Sequence, residues 1–269
     1  MSHAKPDHLG PEYGAQFSDA TVAAAYRHRP PYPSDVVERL RRLIDNTDAV
    51  VLELGCGTGE LARALAPFVG HVDAVDPSSA MLDAARDADG GTHPHITWHH
   101  VMAESFVTER HYHLAIAAES LHWMEWDVVL PAIDRMLAPG GRLVILDRRI
   151  DGVAWWSDLA PLIPRFSTNT AYQRYDLVDE LTSRGLFVAE GRTTTPVVTF
   201  PQRVDEYVES WHSRNGFSRV RMSPAAAHAF DEGVREVVTP HAVDGLLQVA
   251  VSATMVWGRP VWRGGAGVG

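Results

Sequence analysis

From about Ala49 onward the chain repeats one pattern: a short apolar run, a break of glycine or polar residues, then apolar residues three and four apart. Alternation of these two periods predicts an α/β fold built on a parallel sheet. Strands are expected near 49–54, 71–75, 95–100, 113–118 and 142–148, and helices near 34–45, 59–68, 78–87 and 125–137. The first helix has Val36, Val37, Leu40 and Leu43 on one face after Ser34, a residue suited to capping. Asp176 to Arg184 reads as a further helix, ended by Gly185, with a strand from Leu186. Thr193 to Phe200 is β-branched and extends the same sheet, and Val249 to Trp257 is the expected last strand.

The break after the first strand is the most specific. Val50 to Leu54 leads into Gly55-Cys56-Gly57-Thr58-Gly59-Glu60, and a helical pattern follows through Leu61, Ala62 and Leu65. Glycines in alternate positions permit positive φ and let a ligand approach the backbone. A dinucleotide fingerprint requires glycine three places after Gly57, where Glu60 stands, and a Walker loop requires a Gly-Lys-Ser/Thr ending. The turn therefore suits a nucleoside without phosphates, such as S-adenosylmethionine. Asp76 ends the second strand about twenty residues on, where a Rossmann unit sets a carboxylate against ribose hydroxyls. A helix-capping role for Asp76 is the competing reading.

These segments resemble the class I S-adenosylmethionine-dependent methyltransferases. Glu53-Leu54-Gly55-Cys56-Gly57-Thr58-Gly59 is similar to their first motif and Asp76 to their ribose-binding acid. Tyr26-Arg27-His28-Arg29-Pro30-Pro31-Tyr32-Pro33, Ala118-Glu119-Ser120-Leu121-His122-Trp123, Leu137-Ala138-Pro139-Gly140-Gly141 and Tyr207-Val208-Glu209-Ser210-Trp211-His212-Ser213 resemble segments of the trans-aconitate and cantharidin-acid methyltransferase subgroup. The resemblance spans roughly Gln16 to Arg259. It implies a Rossmann-like fold with a mainly parallel seven-stranded sheet, helices on both faces and a helical, aromatic lid. It also implies a cofactor site of Tyr26, Arg29, Glu53, Gly55, Cys56, Gly57, Asp76, Met81, Ala103, Glu104, Ala118 and Glu119.

Length and composition fit one enlarged α/β domain: 269 residues, 45% hydrophobic, with no apolar run long enough to span a bilayer. The expected organisation is a flexible arm over 1–15, a methyltransferase domain over 16–259 and a flexible tail over 260–269. The N-terminus lacks a signal-peptide core, and the single cysteine, Cys56, excludes an intrachain disulfide, so a cytoplasmic location is expected. A formal charge of −10 argues against a nucleic-acid partner. Neither nucleic acid nor membrane is expected as a partner. His93, His95, His99, His100, His111 and His113 flank a strand away from the glycine turn, so no metal site is expected.

Methyl transfer from a sulfonium needs chiefly an acceptor held in line and water excluded. His122 is the candidate catalytic base, and with Trp123 it is the candidate acceptor contact. Two aromatic-rich insertions, 151–175 and 201–243, are expected to cover the crevice as a lid. Trp155, Trp156, Tyr172, Tyr207 and Trp211 are the candidate substrate-binding residues within them. Arg148, Arg149, Arg174 and Arg214 are candidates to neutralise a carboxylate. The reaction expected is methylation of a small-molecule acceptor at oxygen, carboxylate or hydroxyl. Alternatives are N- or C-methylation in secondary metabolism, or a scaffold or sensor that binds the cofactor without methylating.

Overall fold

The computed structural model describes residues 5–6, 9–10, 14–44, 46–150, 152–173 and 175–261. Among these, eight strands form one sheet: β1 (Val50–Leu54), β2 (His71–Asp76), β3 (Ile96–His100), β4 (Tyr112–Ala118), β5 (Leu137–Ile150), β6 (Phe187–Thr194), β7 (Val198–Arg203) and β8 (Leu246–Pro260). The strand order is β3-β2-β1-β4-β5-β8-β6, and β7 also pairs with β8. Pairings among β1 to β5 are parallel, while β8 runs antiparallel to β5, β6 and β7. Strand order reverses between β1 and β4, which opens a crevice beyond their carboxyl ends.

The sheet has eight strands rather than the seven expected because the β-branched run at 187–203 is broken once. Pro196 offers no N–H to the ladder, and β6 stops at Thr194 before β7 resumes at Val198. Thr195 covers the gap: its N–H donates to the Ala253 carbonyl at 2.9 Å, and its Oγ1 accepts from Ala253 N–H at 3.0 Å. β6 and β7 thus occupy successive stretches of one edge of β8.

Helices cover both faces. α1 (Ala20–Tyr26), α2 (Asp35–Leu43), α3 (Glu60–Leu65), α4 (Ser79–Asp87) and α5 (Trp126–Met136) belong to the half built on the parallel strands. One core joins Leu52, Leu54, Tyr112 and Ala115 to Trp126, Leu130 and Ile133 of α5. On the other face Val51, Val72 and Leu114 pack against Val36 and Leu40 of α2 and Leu61 and Leu65 of α3. Asp73 is buried within the sheet, where Tyr112 Oη donates to it at 2.8 Å and the His99 and His71 rings lie at 2.7 and 3.1 Å. His99 thereby has a structural partner inside the fold.

Of the loose arm expected over 1–15, residues 5–6, 9–10 and 14–15 are described. Leu9 is buried in the first core, and Lys5 Nζ donates to the Met124 carbonyl at 3.0 Å. In the expected tail, Pro260 ends β8 and Val261 N–H donates to the Leu186 carbonyl at 2.8 Å, while 262–269 lie outside the described residues.

The two insertions form one cap with its own core. It contains α6 (Trp156–Leu159), α7 (Leu162–Phe166), α9 (Val204–Trp211) and α10 (Pro224–Val238), whereas α8 (Leu177–Ser183) precedes β6 and packs on the sheet. Val153, Trp155, Leu159, Tyr207, Trp211, Phe217 and Phe230 pack with Leu247, Val249 and Val251 of β8.

Candidate active site

At the carboxyl ends of β1 and β4 lies a cavity of about 600 Å³, a size suited to a small cofactor with its substrate. Its floor is the glycine turn. Gly55, Gly57 and Gly59 all have positive φ, at 67°, 54° and 69°. At Gly55 a Cβ would stand 2.5 Å from Ser120 Cβ, so packing as well as conformation demands glycine. At Gly57 the nearest such contact is Tyr26 at 3.8 Å, and the bare backbone faces the cavity. Cys56 fills the turn as a packing residue, and burial pushes its thiol pKa well up.

Asp76 ends β2 with both oxygens engaged by backbone. Gly57 N–H donates to Oδ2 at 2.8 Å and Ser78 N–H to Oδ1 at 2.9 Å. Burial raises its pKa, and the two N–H donors oppose that shift. The helix α4 is capped by Ser78, whose Oγ accepts from Met81 N–H at 3.3 Å, so Asp76 is not the capping residue. Each carboxylate oxygen keeps a lone pair for a further donor. Glu53, at the end of β1, is 3% exposed and its Oε2 has no partner. Burial first, then Glu60 and Asp76, push its pKa up to about 8 against the Ala62 N–H bond.

A charged network closes one side. Glu119 follows β4 with φ at 51°, a conformation uncommon for a residue with a Cβ. Arg148 Nη2 donates to Glu119 Oε2 at 2.9 Å, Tyr32 Oη donates to the same atom at 3.1 Å, and Arg29 Nη1 lies 3.6 Å away. Burial alone would raise Glu119, yet Arg148, Arg29 and Tyr32 together hold it below the usual carboxylate range. Arg148 also reaches Glu60 at 3.3 Å and the Pro30 carbonyl, and lies over the Tyr32 ring at 4.3 Å.

All twelve residues expected around a cofactor line this one cavity: Tyr26, Arg29, Glu53, Gly55, Cys56, Gly57, Asp76, Met81, Ala103, Glu104, Ala118 and Glu119. Trp123 joins them, with its ring 5.4 Å from that of Phe17. The sequence reading missed Phe17, Tyr32 and Glu60 as lining residues. Tyr32 stood in the Arg-Pro-Pro-Tyr-Pro segment and was legible from it; Phe17 carried no motif, and Glu60 was read only as breaking a fingerprint.

The acceptor side needs correction. His122 is not among the lining residues; it sits behind Trp123, with ring centroids 4.5 Å apart, and beside Tyr175 at 6.4 Å. Trp155, Tyr207 and Trp211 are buried in the cap core and do not reach the cavity. Trp155 Nε1 donates to Tyr207 Oη at 3.0 Å, which satisfies both polar tips within that core. Trp156 and Tyr172 are exposed and likewise do not line it. The cap needed its large aromatics to bury itself, so they were spent on its own core. The cover over the cavity comes instead from the segment preceding and including α1, through Gly14, Ala15, Phe17, Ser18 and Tyr26. Of the arginines, Arg149 is paired at the surface with Asp147 at 3.4 Å, and Arg174 lies outside the described residues.

Residues 51–141 match the family model described as a methyltransferase domain. An uncharacterized methyltransferase of Mycobacterium tuberculosis is 31% identical over 147 residues, 54% of this chain and 58% of that protein. The ubiquinone/menaquinone biosynthesis C-methyltransferase UbiE of Rubrivivax gelatinosus is 34% identical over 119 residues, 44% of this chain and 45% of its own length. The chain thus spans about half the length of these curated relatives. Among solved structures, a protein proposed as a type II methyltransferase from Anaeromyxobacter dehalogenans superposes with a TM-score of 0.60 at 20% identity, covering 86% of this chain and 97% of that one. The YcgJ protein of a Bacillus superposes at 0.52 with 15% identity, covering 84% and 97%. In fold the chain is similar to these solved structures, and residues 51–141 match the methyltransferase domain in sequence.

Proposed function

We propose that the protein is an S-adenosylmethionine-dependent methyltransferase acting on an oxygen of a small-molecule acceptor. The observation that carries this reading is the convergence of the bare Gly55–Gly59 turn, Asp76 and the Glu119 network on one cavity at the β1/β4 switch point. The residues fit the group. Asp76 has lone pairs left for ribose hydroxyls, Glu53 lines the same cavity with its Oε2 unpartnered, and Met81 and Ala103 offer apolar surface for a base. Arg29 and Glu119 supply charge for the amino-acid end, and Gly57 lets the backbone approach. When bound, the cofactor supplies a methyl group already activated on a sulfonium. The protein's own part is to orient the acceptor, with Phe17 and Trp123 as an aromatic wall, and to exclude water beneath the residues leading into α1.

His122, held behind Trp123, fits a residue that positions that ring rather than a base. A carboxylate acceptor needs no base, because it is already ionised at neutral pH. Arg214 does not line the cavity, yet its charge lies near the Arg29–Glu119 side and favours that acceptor from a distance. Its guanidinium lies over the Trp211 ring at 4.3 Å, forms no ion pair among the described residues, and has its pKa pushed down to about 10 by burial. A cation partly withdrawn from water without an ion-pair partner is favoured by an anion nearby. Arg29 and Glu119 lie within electrostatic reach of it, which connects it to the cavity's charged side. Arg214→Gln, which removes a nearby positive charge and no residue of the cavity lining, is expected to raise the KM for a carboxylate acceptor about two- to fivefold while leaving cofactor affinity within about twofold. Equal KM values in steady-state assays would remove Arg214 from acceptor binding.

The test of the overall reading is calorimetry with S-adenosylhomocysteine. Wild type is expected to bind it, and Asp76→Ala to weaken binding by about 1.5–3 kcal/mol, the range for hydrogen bonds to a charged group. Absence of binding by the folded wild-type protein would overturn the reading. Unchanged affinity in Asp76→Ala would remove that residue from the site.

A further inference from the structure

Among the described residues, the cap contributes no side chain to the cavity lining, yet it holds the segment that covers it. Arg29 Nε donates to Ser213 Oγ at 2.8 Å and Arg29 Nη2 to the Ser213 carbonyl at 2.7 Å. Gln16 Nε2 donates to Asn215 Oδ1 at 2.7 Å, and Gly216 N–H reaches back to Gln16 Oε1 at 3.4 Å. Gln202, on β7, donates to the His28 carbonyl. On its other side the same segment packs on the half built on the parallel strands, with Phe17, Val22, Ala23 and Tyr26 against Ala80 and Met81 of α4. Residues 16–29 are therefore a strap, fixed at one side to α4 and at the other to the turn after α9.

That turn is built to hold. Ser213 is fully buried, and its hydroxyl donates its one proton to the Ser210 carbonyl, which leaves Oγ as an acceptor aimed at Arg29. Gly216 has φ at 88°, and a Cβ there would stand 2.3 Å from Ser167 Oγ, so the turn is also locked against the cap's other insertion. The Ser210-Trp211-His212-Ser213 segment, which the cavity lining leaves without a role, thus has a physical one. Trp211 anchors the segment in the cap core and Ser213 presents the acceptor atoms for Arg29.

We propose that the 213–216 turn is a latch that sets how long the cofactor stays bound, with Ser213 and Asn215 as positioning residues acting through Arg29 and Gln16. This rests on the cofactor reading above. Release of a ligand from beneath the strap requires these bonds to open, and their strength falls on the dissociation rate more than on association. It also makes cofactor residence answer to the cap, the part of the chain that holds Arg214.

The experiment is stopped-flow binding of S-adenosylhomocysteine, read by tryptophan fluorescence, with hydrogen exchange of the strap on the same proteins. Ser213→Ala and Asn215→Ala are each expected to speed dissociation roughly three- to tenfold, the loss of one or two ordinary hydrogen bonds. Association should stay within about twofold. Exchange in 16–29 should rise while β1 and β4 stay as protected as in wild type, which separates a loosened strap from a destabilised fold. Arg235→Ala, which breaks a surface pair with Asp205 elsewhere on the cap, serves as control and should leave the rate unchanged. Unchanged dissociation in both latch variants, or an equal rise in the control, would overturn the latch. Failure of wild type to bind S-adenosylhomocysteine would overturn the cofactor reading itself.

Discussion

Replacing Arg148 with methionine is expected to cost about 3–5 kcal/mol of stability, the range for breaking a buried ion pair from one side. The side chain is 7% exposed and serves Glu119, Glu60, the Pro30 carbonyl and the Tyr32 ring together. Methionine keeps much of the volume, so the loss is chiefly electrostatic: two desolvated carboxylates are left without their main counter-charge. The pH dependence separates this from a packing defect. Glu119 is held below the usual carboxylate range in the native protein, so its contribution is present above its unfolded pKa and is lost as pH falls through the folded one. Without Arg148 both acids are favoured in their neutral forms. The gap between variant and wild type in urea unfolding should therefore be large at pH 8 and shrink toward pH 4.5. A gap that does not change with pH would mean that Arg148 acts through packing alone.

The same network shows what could be read from the chain and what could not. Strands of the parallel half were legible because β1, β2 and β4 are apolar runs closed by glycine or acid, and their local pattern and tertiary fate agree. The cavity-lining residues of β1 and β2 were legible because a bare backbone turn and a strand-end acid each have few physical uses. Trp155, Tyr207 and Trp211 were misread because aromatic side chains serve a pocket and a core equally well in sequence; only the packing of the cap against β8 distinguishes them. The strap was hidden for another reason. Gln16, Arg29, Ser213 and Asn215 meet across nearly 200 residues of chain, and no local period records such a contact. Pro196 was visible, but its consequence, an eighth strand, depended on how far β8 extends past β6.

Glu53→Gln is expected to stabilise the protein at alkaline pH, although it alters a residue of the glycine-turn motif. The carboxyl group is almost fully buried with one oxygen unpartnered, and its pKa is pushed up to about 8, mainly by burial. A carboxyl whose folded pKa lies above its unfolded value favours folding below the unfolded value. It then loses that contribution as pH rises through the folded one. Wild-type stability should fall between about pH 4.5 and pH 8 from this group, by up to about 4–5 kcal/mol at 1.36 kcal/mol per pKa unit. Glutamine keeps the shape and cannot ionise, so the two unfolding curves should nearly coincide at pH 5 and separate in the variant's favour by pH 8.5. Coincident curves at both pH values would mean that Glu53 titrates normally. The site gives the same group a second signature. Glu53 faces the cavity, and a cation bound beside it would favour its ionised form. Binding of S-adenosylmethionine at pH 7 should therefore release close to one proton, measured as a binding heat that varies with the ionisation enthalpy of the buffer. In Glu53→Gln that buffer dependence should vanish, and its persistence would assign the proton to another group.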